Sequence, residues 1–332
     1  MHEKQIIKYI HTLDPKLFNL SKISDVICTK LHGGLHNVNF KVTVTDGVNQ
    51  RICVLRTPDS NKDAAALANE NYYVQLLQNS GTTPKILHYS QDTTLNRPII
   101  ISEFITGKHL QFDELDNYQI TLLAQKLVRI HAVKNELFSI GNAKLPKTKG
   151  TLKDYAEATV REKITKRYKI YSKEVVHDAA AVNQAQAILH TLLSGATNSS
   201  WDARTFSLCH GDIGAGNIIW ADTDLWFIDW DDARFGDPAD DIGYIFAINH
   251  MGPDFQRTFL DAYTKESKDA SIASRTDAYV LKNYLFDVVW AIGKLYQIKN
   301  ESSLIEISES QYREMYEQRL SNLKTYMASL EG

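Results

Sequence analysis

One segment in the second half of the chain constrains its fold and chemistry more than any other. The segment covers Cys209–Asn217 (CHGDIGAGN) and is followed by FIDW at Phe227–Trp230. Asp212 stands five residues before Asn217, and a second aspartate, Asp229, ends an apolar run twelve residues later. The apolar runs on either side of the intervening turn predict two short strands, and Asp and Gly residues are typical of such turns. The polar residues therefore lie beside short strands rather than inside a helix.

The spacing of these residues matches what phosphoryl transfer from ATP requires. The acceptor hydroxyl needs a group that accepts its proton, and Mg²⁺ on the triphosphate needs oxygen ligands. Protein kinases supply them in H-R-D-x-x-x-x-N and in a later D-F-G triplet. Here His210-Gly211-Asp212 and Asp229-Trp230-Asp231 stand in those places. The pattern predicts Asp212 as the base or hydroxyl-orienting group, and Asn217 and Asp229 as Mg²⁺ ligands.

The stretch from Leu208 to Gly243 resembles the aminoglycoside phosphotransferase and choline kinase superfamily, small-molecule kinases similar in fold to protein kinases. The shared signatures are His210-Gly211-Asp212, Asn217, Ile228-Asp229-Trp230, Gly236-Asp237-Pro238 and Asp241-Ile242-Gly243. The resemblance is tight there and loose from Ile23 to Gln297. It implies an α+β, two-lobed, protein-kinase-like fold with ATP and Mg²⁺ in the cleft. The N-terminal nucleotide-binding lobe would span 1–104, and the C-terminal catalytic lobe 105–332.

The patterns along the chain agree with that division. Apolar runs separated by the hairpin signal DGVN at 46–49 predict strands in the first hundred residues, with one helix over 64–79 that ends at Ser80-Gly81. Beyond Gly107 the spacing becomes helical, apart from the strands of the catalytic segment. The weakly periodic stretch 304–327 predicts a terminal helix. We therefore expect an antiparallel-sheet lobe followed by a larger helical one.

The first lobe carries the candidate nucleotide-binding residues. Gly33, Gly34, Asn37 and Asn39 lie in LHGGLHNVNFKV, which resembles the phosphate-covering turn of choline kinases. Adjacent glycines let backbone N–H groups approach phosphate oxygens closely. The stretch lacks the full G-x-G-x-x-G pattern, as the choline kinase turn does.

Three further elements complete the predicted nucleotide and catalytic framework. Arg56 falls where kinases place the phosphate-binding strand lysine, and Glu70 on the next helix would be its ion-pair partner. Glu103 and Ile105 fall on the predicted hinge, where main-chain groups would bind adenine. His210 and Asp241 are expected to be structural: the resemblance implies that Asp241 hydrogen-bonds to the catalytic-loop backbone, although helix N-termini favour an acid in any case.

The acceptor is predicted from carboxylates and one aromatic residue. Asp231 and Asp232, with Asp237 and Asp240 nearby, suggest an anionic entrance suited to a cation. Asp287 and Trp290 share a helical face in a stretch similar to the aromatic-rich late helix of choline kinases, where a tryptophan faces the quaternary ammonium. The sequence thus favours a choline- or ethanolamine-like acceptor, while His-Gly-Asp and Gly-Asp-Pro leave aminoglycosides, thiamine and other small alcohols open.

Composition and charge bear on the remaining function classes. The 332 residues are 43% hydrophobic with a net charge of −3, which favours neither nucleic acid nor an anionic membrane. Three scattered cysteines argue against a disulfide framework or zinc site. The start lacks a signal-peptide core, and no apolar run is long enough to span a membrane. We expect a cytoplasmic enzyme, monomeric or homodimeric.

Two other interpretations remain from the sequence. An inactive kinase fold that serves as a binding module would be expected to lack one of the three catalytic-segment polar residues, and all three are present. The basic segment 144–173 could bind phosphate or nucleic acid, although a solvated helix and loop explains it as simply.

Overall fold

The computed structural model describes residues 2–31, 37–58, 64–91, 94–140, 145–194, 199–300 and 308–331. The chain forms two compact units. The first comprises Met1–Leu110 with Gly216–Ala233, and the second comprises Gln111–Ala215 with Arg234–Gly332. Helices and strands are numbered along the chain.

The first unit is built on a five-stranded antiparallel sheet of order β1-β2-β3-β5-β4. Its strands are β1 (Asp25–Leu31), β2 (Asn37–Thr45), β3 (Gln50–Pro58), β4 (Ile86–Ser90) and β5 (Ile99–Glu103), and its helices are α1 (Glu3–Ile10) and α2 (Ala64–Leu77). The predicted hairpin is present: Asp46 Oδ1 accepts from the N–H groups of Val48 and Asn49 at 3.0 and 2.8 Å. The sequence did not predict α1, because an eight-residue helix gives too short a window for its apolar period to stand out.

A second, three-stranded antiparallel sheet joins the catalytic segment to this unit. It contains β6 (Lys108–His109), β9 (Ile218–Ala221) and β10 (Asp224–Phe227), with β9 in the centre. The Phe227 N–H donates to Thr82 O at 2.8 Å, and the Trp230 indole N–H donates to Thr83 Oγ1 at 3.0 Å. These contacts group Gly216–Ala233 with the first unit, whereas the sequence-based division kept that segment with residues 105–332.

The second unit is mainly helical. Its elements are α3 (Asn117–His131), β7 (Lys134–Asn135), α4 (Leu152–Thr159), a π-helical turn (Val160–Thr165), α5 (Lys166–Tyr171), α6 (Ala179–Ser194), β8 (Phe206–Cys209), β11 (Arg234–Gly236), α7 (Pro238–Ile248), α8 (Pro253–Ser267), α9 (Ile272–Asn300) and α10 (Glu309–Glu331). The three short strands pair antiparallel around β8. Among the described helices, none is both long and apolar enough to cross a bilayer.

Buried ion pairs anchor α7, the helix that follows the catalytic segment. Asp237 caps its N-terminus and pairs with Arg275 Nε at 2.8 Å. Asp240 Oδ1 lies 2.6 Å from Lys282 Nζ, and its Oδ2 lies 3.0 Å from Arg234 Nη2. The sequence analysis placed Asp237 and Asp240 at an anionic entrance. That placement is wrong, because both side chains are buried, where neighbouring cations on α9 and β11 neutralise them.

Candidate active site

A cavity of about 350 Å³ lies within the first unit. Apolar side chains of β3, β5 and β9 line one part of it, and polar groups line another. The lining includes Val54, Ile100, Ile219, Ile228, Arg56, Glu70, Glu103, Ile105 and Asp229. A cavity of this size with apolar walls and a few convergent polar groups is typical of a small-ligand or cofactor site.

The predicted hinge residues lie along this cavity. The Glu103 N–H donates to Lys85 O at 2.9 Å, and its carboxylate pairs with Arg51 at 2.8 Å. Ile105 lines the cavity two residues farther along. At Gly107 a Cβ atom would collide with the carbonyl of Trp220, so glycine is required where the hinge crosses β9.

The polar part of the cavity centres on Arg56, which binds three carboxylates. Its Nη1 lies 2.8 Å from Glu70 Oε1, and its Nη2 lies 2.6 Å from Asp229 Oδ1 and 3.4 Å from Asp231 Oδ2. Burial, together with the charges of Asp231 and Asp229, raises the pKa of Glu70 to about 8 despite the nearby guanidinium. Burial likewise raises the pKa of Asp231. One guanidinium thus faces more carboxylates than it neutralises, a charge balance suited to an added cation.

Several buried polar atoms around Arg56 have no hydrogen-bond partner within the described residues. They are Asn37 Oδ1, Asn39 Oδ1 and Arg56 Nε, whereas the raised pKa of Glu70 lets its carboxyl donate a hydrogen bond to Asp231. Asn39 stands opposite Arg56 in the β2–β3 register, and Asn37 donates to Asp231 Oδ2 at 2.7 Å. Buried polar groups normally find a partner, so this end of the cavity is suited to a ligand with both charge and hydrogen-bonding capacity. The predicted Gly33 and Gly34 lie outside the described residues.

The two predicted metal ligands are neighbours at one end of the β9–β10 hairpin. The Ile228 N–H donates to Asn217 O at 2.9 Å, which places Asp229 next to Asn217. Asp229 has a φ of 65°, a left-handed conformation that is uncommon for a residue other than glycine. Such strain persists where the surrounding structure imposes it, often at functional sites. An amide oxygen and a carboxylate fit Mg²⁺, which prefers oxygen ligands.

Asp241 fixes the backbone of the loop in the second unit that carries Asp212, the predicted catalytic residue. Its Oδ2 accepts from the His210 N–H at 2.7 Å, and its Oδ1 accepts from the Gly211 N–H at 2.9 Å. Gly211 has a φ of 85°, which favours glycine at this position. Burial alone would raise the pKa of Asp241, but the hydrogen bond from His131 holds it below its usual range.

His131 on α3 completes this support, and the sequence analysis did not identify it. Its Nε2 lies 3.2 Å from Asp241 Oδ2, and its Nδ1 lies 2.8 Å from the Tyr263 hydroxyl. A carboxylate only accepts, so Nε2 carries the proton and Nδ1 accepts from Tyr263. Burial lowers the pKa of His131, which favours this neutral form. The Cys209 thiol lies near the ligand atoms of His131 and Asp241, a grouping that could hold a metal ion. Because Asp241 accepts from two backbone N–H groups, we interpret the cluster as support for the loop.

Asp212 itself is oriented by Tyr244, a second residue that the sequence analysis missed. The Tyr244 hydroxyl donates to Asp212 Oδ1 at 2.5 Å, and the Asp212 N–H donates to His210 Nδ1 at 3.3 Å. Tyr244 follows Asp241 by three residues on α7, so both share the face directed at the loop. The three-residue spacing from Asp241 to Tyr244 was the sequence signal that could have identified Tyr244.

The predicted acceptor residues belong to two different units. Asp231 belongs to the Arg56 cluster, and Asp232 follows it, half-buried. Asp287 and Trp290 lie on α9 in the second unit, where Arg319 of α10 contacts both. The structure therefore groups Asp287 with Trp290, and Asp231 with the predicted nucleotide residues.

Comparisons with known proteins bear on the family and the fold of the chain. A model of the phosphotransferase enzyme family, APH, matches residues 27–276. Stress response kinase A of Salmonella paratyphi A is 38% identical over 109 residues, which are 30% of this chain and 32% of that protein. The matching part of the chain thus spans about a third of the length of this curated relative.

Solved structures give the same fold at low identity. A thermostable mutant of aminoglycoside phosphotransferase APH(4)-Ia, in a ternary complex with ADP and hygromycin B, has a TM-score of 0.65 at 17% identity over 99% of both chains. A choline/ethanolamine kinase family protein from Mesorhizobium loti has a TM-score of 0.62 at 16% identity over 98% of this chain and 95% of the other. The predicted protein-kinase-like α+β fold is confirmed. Since the family model matches more than half of its length, the chain belongs to the phosphotransferase enzyme family.

Proposed function

We propose that this chain transfers the γ-phosphoryl group of ATP to the hydroxyl group of a small molecule, with Mg²⁺ as cofactor. The observation that carries the proposal is the polar end of the cavity, where Arg56 and Glu70 lie beside Asp229 and its neighbour Asn217. A guanidinium binds the phosphates of a nucleoside triphosphate, and amide and carboxylate oxygens bind its metal ion.

The first unit would hold the nucleotide. Its adenine would lie between Val54, Ile100, Ile219 and Ile228, with the Glu103 carbonyl and the Ile105 backbone at its edge. Arg56, oriented by Glu70, would bind phosphate oxygens, and Asn37 and Asn39 lie on the same face of the sheet. Bound through Asn217 and Asp229, Mg²⁺ would neutralise charge on the phosphates.

The second unit would supply the group that receives the proton. The acceptor hydroxyl gives its proton to Asp212 as its oxygen bonds to the γ-phosphorus, and ADP leaves with the electron pair of the broken P–O bond. Tyr244 fixes one carboxylate oxygen of Asp212, and Asp241 fixes the loop backbone. In a loose phosphoryl-transfer transition state, this positioning contributes more than early proton removal.

For the acceptor, we propose a small cationic alcohol of the choline or ethanolamine kind. Asp287 and Trp290 support this choice, since an aromatic face attracts a desolvated ammonium by about 2 kcal/mol or more and Asp287 adds a negative charge beside it. An aminoglycoside or thiamine is the alternative within the same reaction. A solved structure of similar fold, an aminoglycoside phosphotransferase in complex with ADP and hygromycin B, supports this alternative.

Two catalytic variants test this function. We expect Mg²⁺ and ATP together, at a hundred times Kd, to stabilise the native protein by about 2.7 kcal/mol. Asp229→Ala should lose that stabilisation. Asp212→Ala should keep it while losing phosphate transfer in ATP-consumption assays with choline, ethanolamine, thiamine and kanamycin.

The matched control is Asp222→Asn, since Asp222 lies exposed in the β9–β10 turn, where its φ of 53° also suits asparagine. It should behave as the native chain does. Magnesium-independent nucleotide binding, or transfer by the Asp212→Ala variant at the native rate, would contradict the proposal. Nucleotide binding without transfer to any acceptor would instead favour a binding module.

A further inference from the structure

Asp287 and Trp290 already contact a cation, and that cation belongs to the chain itself. Arg319 on α10 places its Nη1 3.0 Å from Asp287 Oδ1 and its Cζ 4.5 Å from the centroid of the Trp290 ring. Lys294 Nζ also lies 5.3 Å from the same centroid. We call Asp287 and Trp290 the α9 box. An acid and an aromatic face around a guanidinium form the environment that a free ammonium compound would require.

The α9 box connects to the catalytic loop through a short series of contacts. Asn249 Nδ2 donates to the carbonyl of Ile213, the residue after Asp212, at 3.2 Å. The next residue, His250, stacks on Tyr284 with ring centroids 6.1 Å apart, and Tyr284 precedes Asp287 by three residues on α9. Burial and the Arg319 charge together lower the pKa of His250. This series of contacts joins the loop that carries Asp212 to the turn of α9 that precedes the box.

The contact of Arg319 with the α9 box is an ion pair that lacks a hydrogen bond. Its Nη1 is within ion-pair distance of Asp287, yet it makes no hydrogen bond of good geometry with any described residue. Burial outweighs the guanidinium and raises the pKa of Asp287 to about 6. A partly buried pair without matching hydrogen bonds recovers little of its desolvation cost. The Arg319 side chain is 22% exposed, so a rotamer change can release it to water.

The rest of α10 is anchored independently of Arg319. Its apolar face is buried through Tyr312, Tyr316, Leu320, Leu323 and Met327. Lys324 Nζ pairs with Asp178 Oδ2 at 2.7 Å, and the Tyr316 hydroxyl accepts from the Asp178 N–H at 2.7 Å. The helix can therefore stay docked while one arginine side chain leaves the box.

We propose that Arg319 is a specificity-determining residue of the acceptor site: its guanidinium fills the α9 box as an internal cation, and a quaternary ammonium or protonated amine binds there by displacing it. The inference rests on the proposed function. Exchange of one cation for another leaves the net charge around the box unchanged, whereas Arg319 and a bound cation together would repel each other. Arg319 thereby weakens the binding of every cationic acceptor and favours those compact enough to enter the space that the guanidinium leaves.

The test measures choline binding by Arg319→Met, which keeps the straight apolar stem and removes the charge. We expect Kd for choline, by calorimetry on the full chain, to fall about tenfold relative to the native protein. Trp290→Leu in the Arg319→Met background should abolish that gain. The control Lys324→Met removes an ion pair from the same helix outside the box and should leave the Kd of choline unchanged.

The results of this experiment can overturn the role proposed for Arg319. Unchanged or weaker choline binding in Arg319→Met, binding in neither protein, or an equal gain in Lys324→Met overturns the inference. Arg319→Gln provides a second variant if Arg319→Met fails to fold, as judged by helical circular dichroism. Titration with Mg²⁺ and ATP separates the two proposals: if nucleotide stabilises every variant but choline affinity does not rise, the proposed reaction stands and the role of Arg319 fails.

Discussion

At the scale of single residues, the Tyr244–Asp212 hydrogen bond is the contact most open to a direct test. Tyr244→Phe removes only the hydroxyl that donates to Asp212 Oδ1 at 2.5 Å. A hydrogen bond to a charged group contributes about 1.5–3 kcal/mol, and part of that is orientation of the carboxylate. We expect kcat for phosphate transfer to fall about tenfold, while the Kd of the Mg²⁺–ATP complex stays unchanged.

Tyr168→Phe provides the matched control for this substitution. The Tyr168 hydroxyl bonds to His177 in the same unit, away from the catalytic loop, so its loss should leave kcat as it is. If Tyr244→Phe transfers phosphate as fast as the native protein, Tyr244 has no part in positioning Asp212. A raised Kd for nucleotide in that variant would point to a general disturbance instead.

The residues that could be predicted are those whose role is fixed by spacing along the chain. Asp212, Asn217 and Asp229 belong to one segment, so a linear pattern identified them as candidates before their surroundings were known. Arg319 could not be found this way, because its partner Asp287 lies on another helix, more than thirty residues earlier. Sequence showed an aromatic and an acid ready for a cation, while only packing shows which cation is there.

At the scale of elements, the packing of α7 on α9 depends on the absence of one side chain. A Cβ at Gly243 would lie 2.7 Å from the Tyr279 carbonyl carbon and 2.8 Å from the Val280 nitrogen. Moving the backbone of a buried helix to relieve these contacts would cost free energy. We expect Gly243→Ala to lower the free energy of unfolding by about 1–3 kcal/mol, the cost typical of overpacking, in denaturant titrations.

Gly214→Ala is the control for Gly243→Ala within the same unit. A Cβ at Gly214 would meet nothing within 4 Å, so its stability should change by less than about 1 kcal/mol. Equal losses in the two variants would mean that the α7–α9 contact does not limit stability. Since Asp241 and Tyr244 flank Gly243, we also expect the Gly243→Ala variant to lose activity.

Element prediction succeeded where local signals were strong. The Asp46–Asn49 turn and the α2 stop at Ser80-Gly81 follow from residues that set backbone geometry themselves, and Gly81 has a φ of 66°. The π-helical turn at Val160–Thr165 had no such signal in the sequence, since such turns are rare. There Lys163 is buried and lies 5.6 Å from the centroid of the Phe286 ring, so part of the basic segment serves the interior.

At the scale of the whole molecule, the chain builds its first unit from two stretches far apart in sequence. Residues 1–110 and Gly216–Ala233 share the cavity, and the second stretch carries Asn217 and Asp229. A division of the sequence at one point cannot foresee that a later hairpin pairs with an earlier strand. The link became visible only through the β6–β9 pairing and the contacts of Phe227 and Trp230 with Thr82 and Thr83.

The assembly of the first unit from two stretches predicts which segments nucleotide binding should protect from hydrogen exchange. Amide hydrogen exchange reports local opening free energies, so Mg²⁺ and ATP should slow exchange most in β3, β5 and residues 218–230. Those segments line one cavity although more than a hundred residues separate the second from the third. The α9–α10 pair, whose Arg319 contact involves no nucleotide residue, should gain less protection. Equal protection throughout would indicate global stabilisation alone, and protection confined to α9 and α10 would place the nucleotide away from Arg56.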